Sequence, residues 1–236
     1  MVDRTIYVVN ASTLVSDGDV AKMTAACAAQ LTRDVAPAYG LAPVPVLPLS
    51  KTKITKRARV ISVVDTLEEA DALGWHTEEG TEHVYGVVGA KAVLDQGAKA
   101  LTGPYAVSSV LSHEVIEMFV DPTCSMWSDS GHGFLIAYEA CDPVQSGIYD
   151  IGGITVSDFV TADWFDPQNS GDPVSYLKTI KRPFTMSKGG YWVQLAAGQT
   201  SEKFGEDMPE WLRALKRRSI TRTQRHQTGS AAQAAA

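Results

Sequence analysis

His113 and Glu117 stand four residues apart in the run PYAVSSVLSHEVIEMFVDP, with Glu114 next to the histidine. Residues at that spacing leave an α-helix from one face, so a single rigid backbone holds an imidazole and a carboxylate at coordinating distance from one ion. Glu114 leaves the helix about 100° round from His113. That puts its carboxylate beside such an ion, where it can take a proton from a water. The His-Glu-x-x-Glu pattern therefore reads as a helix-borne metal site with an adjacent base.

A third donor has to come from elsewhere in the chain. Glu139 and Asp142 lie in YEACDP, at the end of an apolar run, and carboxylates so placed need a partner or a metal. Glu139 is preferred as the third ligand, since one imidazole and two carboxylates leave a fourth position open. Asp142 serves either as a ligand or as an outer partner that orients His113 through its free ring nitrogen, and Asp121 can take that outer role too. His132, in SGHGF, is the runner-up for the third position. Two carboxylates offset the charge of the ion and weaken its pull on a water proton, so any hydrolysis is expected to be slow. Zn2+ is the first expectation. Oxygen-rich coordination also admits Mn2+, Ca2+ or Mg2+.

The chain of 236 residues can bury one sizeable core, and its 44% apolar and 20% charged residues are ordinary for a globular protein. MVDRTIYVVN has too short an apolar run for a signal peptide, and no stretch approaches the roughly 20 apolar residues of a spanning helix. The expectation is a cytoplasmic protein without a membrane anchor. Cys27, Cys124 and Cys141 have no C-x-x-C spacing, so a thiolate zinc knuckle is excluded. They read as small buried residues, although Cys124 and Cys141 flank the region of interest. The net charge of −6 resolves into −12 over residues 1–210 and +6 over residues 211–236.

The elements that must position these groups follow from periodicity. TIYVV at 5–9 and RVISVV at 59–64 predict buried strands, and EHVYGVV at 82–88 a third. Ser16 with Asp19 predicts the start of a long helix whose stripe is Val20, Met23, Cys27, Leu31 and Val35, ended by Pro37 and Gly40. Val44 to Leu47, between prolines, can only be an edge strand. Lys51, Lys53, Lys56, Arg57 and Arg59 read as a solvated connection, and TLEEADALGW as a short capped helix. His76 reads as a loop residue and His83 as the start of a strand. Ala90 to Ala100 is expected to be helical, and the motif helix amphipathic, with Pro104 in its first turn and Pro122 beyond its end. Downstream, glycine-punctuated segments predict hairpins, with Trp127, Trp164, Phe165, Tyr191 and Trp192 as packing residues. MPEWLRAL predicts a last amphipathic turn or two, and TGSAAQAAA a low-complexity tail. There is no internal repeat, no Gly-x-Gly-x-x-Gly loop and no Gly-x-Ser-x-Gly elbow.

In element order over residues 5–142, and in motif at SHEVIE, the chain resembles a zincin metallopeptidase of the gluzincin type with a variant HExxE motif. HEVIEMFVDP, YEACDPV and VSDFVTADWFDP are also similar to uncharacterised phage and prophage proteins. The resemblance implies an α+β fold: a zincin-like mixed sheet with a long packing helix and a motif helix (1–122), a smaller β-rich lobe supplying the third ligand (123–200), and a basic helix with a low-complexity tail (201–236). It implies His113 and Glu117 as ligands and Glu114 as the base.

The leading expectation is thus a metal-dependent hydrolase acting on a peptide or protein. The alternative is a non-catalytic assembly protein, such as a virion component if phage-encoded, docking a protein partner through its C-terminal tail. The Arg/Lys-rich tail lacks the interleaved aromatics of a nucleic-acid module, so nucleic acid is disfavoured.

Overall fold

Five short strands build the sheet that carries the motif helix. In the computed structural model, which describes residues 4–50, 58–67, 73–79, 83–171 and 173–218, these are β1 (Ile6–Asn10), β2 (Val46–Pro48), β3 (Arg59–Val64), β4 (Gly74–Glu79) and β5 (His83–Gly89), in the order β2-β1-β3-β5-β4. β2, β1, β3 and β5 run parallel, and β4 closes one edge antiparallel to β5, with His76 opposite Gly86. The proline-flanked β2 forms the other edge, as a segment poor in ladder donors must.

A parallel pair needs a crossover, and α1 (Asp17–Gln30) supplies it between β1 and β2. Ser16 caps this helix by accepting the Asp19 N–H, and Asp17 and Asp19 oppose its dipole. The predicted stripe is buried from Val20 to Val35, but its last part lies in a π-turn, Leu31–Val35, before α2 (Ala36–Ala38). Pro37 therefore lies inside the last turn and does not stop the helix.

Ala90 to Ala100 is not one helix. α3 (Ala90–Leu94) stops because Gly97 adopts φ 83° and Ala98 N–H donates back to the Val93 carbonyl, a left-handed closing turn. The motif helix, α4 (Val107–Val120), starts later than its sequence suggests. Gly103 and Tyr105 both have positive φ, so Pro104 sits in a turn before the helix, and the first helical N–H groups, those of Val107 and Ser108, donate to the carbonyls of Lys99 and Ala100. Nor is α4 amphipathic: all fourteen residues are buried. It packs on β3, β4 and β5 and against α1, α3 and a hairpin from the second half of the chain.

That hairpin, β8 (Ile148–Ile151) and β9 (Ile154–Ser157), turns through Gly152 and Gly153, both with positive φ as a tight two-residue turn requires. Preceding it are β6 (Trp127–Asp129) and β7 (Leu135–Ala137), which join β10 (Tyr191–Ala196) and β11 (Gln199–Phe204) in an antiparallel sheet ordered β11-β10-β7-β6. Trp164, Phe165 and Tyr191 are buried, and Trp192 packs against the cluster around Trp164. α5 (Glu210–Arg218) returns Leu212 to the main core, with Trp211 edge-on to Tyr105.

The architecture is mixed α+β with several sheets. No described helix is long and apolar enough to cross a membrane. The expected basic connection at 51–57, the tail beyond residue 218 and residues 68–72 of the expected 66–75 helix lie outside the described residues. Gly74 and Trp75, assigned to that helix by the sequence, instead open β4.

Candidate metal centre

Three segments meet under α4. The helix contributes His113, Glu114 and Glu117; β4 contributes His76; and the connection between β7 and β8, which contains a 3-10 turn at Asp142–Val144, contributes Glu139, Cys141 and Asp142. None of the six His, Glu and Asp side chains exposes more than 8% of its surface. Four carboxylates and two imidazoles buried together, among the described residues, demand positive charge, because an uncompensated buried carboxylate costs several kcal/mol.

His113 is the best-defined donor. Its Nε2 lies 3.1 Å from Glu117 Oε1 and 3.3 Å from Asp142 Oδ1. One ring nitrogen carries at most one hydrogen and cannot donate well to two carboxylates at once, so one of these two close approaches calls for a further positive charge. Ligands about 2.0 to 2.1 Å from a tetrahedral ion stand roughly 3.3 Å apart, so these separations fit a coordination edge. Cys141 completes the surroundings: its N–H donates to Glu117 Oε1 at 3.1 Å, and its sulfur belongs to a donor set with His113 and Glu117 whose atoms lie within 4.8 Å of one another. Burial pushes the Cys141 thiol up, and the Glu117 charge adds to this, so its sulfur is a protonated neighbour in the metal-free protein.

A second donor set of the same compactness joins His76, Glu117 and Glu139. His76 Nδ1 lies 3.4 Å from Glu114 Oε2, and Nε2 donates to the Asp121 carbonyl at 3.0 Å, with the Cys124 sulfur also 3.0 Å away. The Glu114 carboxylate rests on the Gly74 backbone, where any Cβ would stand 2.9 Å from its Oε1.

The protonation equilibria report the crowding. Burial raises the Glu117 carboxyl to about 7, His113 opposes this, and the charges of Asp142 and Glu139 add to it. Burial alone would lower both histidines, yet both are held well above 6.5, His113 by Glu117 and Asp142 and His76 by Cys124 and Glu114. In the absence of metal the cluster gathers protons, the behaviour of a site whose carboxylates outnumber its cations. The donors are thus of types that could hold a divalent ion.

The structure sets Glu117 and Asp142 each beside His113 Nε2, and places Glu139 with Glu117 and His76. His132 does not join them: it is exposed in a turn, where Ser130 Oγ accepts its N–H. Asp121 does not orient His113 either. Its carboxylate accepts the N–H groups of Ser125 and Met126 and so closes the C-terminal end of α4. His76 is the donor that sequence reasoning missed. It belongs to a strand, is 3% exposed, and sits in GWHTEE, where His76 and Thr77 are both buried and no alternation marks a strand face. All three cysteines are buried and reduced, as the sequence suggested.

No protein-family model matches the chain, and neither a curated protein nor a solved structure matches it.

Proposed function

We propose that this protein is a metal-dependent hydrolase, of metallopeptidase type on a zincin-like scaffold, with peptide or protein substrates. The observation that carries this reading is His113 Nε2 standing between Glu117 Oε1 and Asp142 Oδ1. His113 and Glu117 would hold the ion, with the Cys141 sulfur in the same compact donor set, Asp142 beside His113, and Glu139 available from the adjoining set. Zn2+ is the first choice, and the carboxylate-rich set also suits Mn2+, Ca2+ or Mg2+. When bound, the ion supplies Lewis acidity toward a water and a carbonyl oxygen. Glu114 takes the proton of the attacking water and hands it to the leaving amine. Gly74 leaves room for the Glu114 carboxylate, and His76 Nδ1 at 3.4 Å faces its Oε2.

The test is metal analysis of the purified chain together with peptide hydrolysis by the parent and by Glu114→Gln. A stoichiometric divalent ion in both, and at least a hundredfold loss of rate in the variant, is expected. A bound ion with no hydrolysis of any peptide by the parent protein would remove the catalytic part.

One observation favours a second reading. Every donor is buried, which suits an ion that braces the fold of a non-catalytic assembly protein such as a virion component. In that case Glu114→Gln changes thermal stability and self-association but no reaction rate, and sedimentation detects the assembly.

A further inference from the structure

The set on β4 has its own geometry. His76 Nε2 lies 3.0 Å from the Asp121 carbonyl, and a carbonyl oxygen only accepts, so this nitrogen carries the hydrogen. The lone pair of the neutral ring is then on Nδ1. Fixing a ligating imidazole through its other nitrogen to a backbone carbonyl is the usual way of aiming such a lone pair. The Cys124 thiol adds to the clamp by donating to the His76 carbonyl at 3.1 Å.

What Nδ1 faces is another acceptor. Glu114 Oε2, on a side chain only 4% exposed, makes no hydrogen bond and stands 3.4 Å from it. Two lone pairs facing each other in the protein interior need a positive charge between them: a proton on Nδ1 in the metal-free protein, where Glu114 helps hold His76 above its usual range, or a cation in its place when the centre is loaded. A donor atom from each of Glu117 and Glu139 lies within 4.8 Å of a His76 nitrogen. On the far side, Glu117 Oε1 already meets His113 Nε2 and the Cys141 N–H. A carboxylate has two oxygens and about four lone-pair sites, so Glu117 can serve both sets at once.

Charge balance points the same way. With both imidazoles neutral, Glu114, Glu117, Glu139 and Asp142 carry four negative charges. One divalent ion leaves two of them uncompensated in the core, and two divalent ions cancel all four.

We propose that the centre holds two divalent cations bridged by Glu117: one on His113, with Cys141 and Asp142 beside it, the other on His76 and Glu139 with Glu114 at its edge. The inference rests on the reading of this cluster as a metal centre and adds a second site to it. Each ion takes one imidazole and carboxylate oxygens, a set suited to Zn2+ or Mn2+.

The experiment is to strip the full chain with a chelator, reload it with Mn2+ or Zn2+, and measure ions per chain by elemental analysis. Two per chain are expected in the parent, one in His76→Gln and one in His113→Gln, with circular dichroism confirming that each variant is folded. One ion per chain in the parent, unchanged in His76→Gln, would overturn the second site and leave the single-ion reading standing. No ion in the parent would overturn the metal reading itself, and the proposal with it. Should a variant fail to fold, electron paramagnetic resonance of the Mn2+-saturated parent decides: an exchange-coupled pair is expected, and a spectrum of isolated Mn2+ alone would overturn the proposal.

Discussion

Glu114 and Gly74 are packed so closely that the carboxylate depends on the missing side chain: a Cβ at position 74 would stand 2.9 Å from Glu114 Oε1 and 3.0 Å from the Val87 carbonyl. The Val87 carbonyl cannot move without disturbing the pairing of β5, so the carboxylate must give way. Gly74→Ala should therefore cost about 1 to 3 kcal/mol of stability. Under the hydrolase reading it should also slow turnover far more than it weakens metal binding, since Glu114 is the displaced group. Denaturant melts with parallel metal titrations check both.

Removing the ion should unmask the buried charge. A chelator is expected to lower the melting temperature of the purified protein, and readdition of the divalent ion to restore it. Stabilisation should reach about 2.7 kcal/mol at a free ion concentration a hundred times Kd. Differential scanning calorimetry across an ion titration reads this directly, and a melting temperature indifferent to chelator would count against a bound ion.

Asp121 joins two tasks at the end of α4. Its carboxylate accepts the N–H groups of Ser125 and Met126, and its carbonyl receives His76 Nε2. Asp121→Ala should destabilise by about 1 to 3 kcal/mol, the range for buried donors left without an acceptor. It should also loosen ion binding through His76. Asp121→Asn keeps one acceptor oxygen and is expected to fall between parent and alanine in both urea melts and metal affinity.

Asp158, outside the His, Glu and Asp donors of the metal centre, gives a further pH dependence. It is fully buried, its Oδ1 accepts the N–H groups of Phe159 and Leu177, and its Oδ2 makes no hydrogen bond. Burial raises its carboxyl from 3.8 to about 6, against the pull of those two N–H groups. A carboxyl whose folded pKa exceeds its unfolded value favours the fold fully below the unfolded value and loses that contribution as pH rises through the folded one. The loss here falls between about pH 4 and pH 6 and amounts to roughly 2 to 3 kcal/mol. Asp158→Asn stays neutral, so it should be more stable than the parent at pH 7.5 and show no such gain at pH 4. Urea melts at the two pH values check the sign.

Much of the frame was legible because it is local. β3 runs from Arg59 to Val64 as its β-branched run predicts, and Ser16 caps α1. The pairing of His113 with Glu117 follows from one turn of helix, a relation that needs no knowledge of the rest of the chain. Where Pro104 and Ala90 to Ala100 misled, the deciding features were left-handed backbone at Tyr105, Gly103 and Gly97. Those conformations are set by carbonyls the loops must satisfy, which composition does not reveal.

The sequence by itself determined that an imidazole and two carboxylates would share one helix, because the 3.6-residue repeat is intrinsic to the backbone. Only the tertiary structure decided what they would face. His76 reaches Glu114 across 38 positions because β4 pairs antiparallel with β5 and α4 lies across that edge, and Asp142 reaches His113 because the hairpin after it docks on α4. Sheet register and helix packing depend on burial summed over the whole core, and no short window of residues contains that sum.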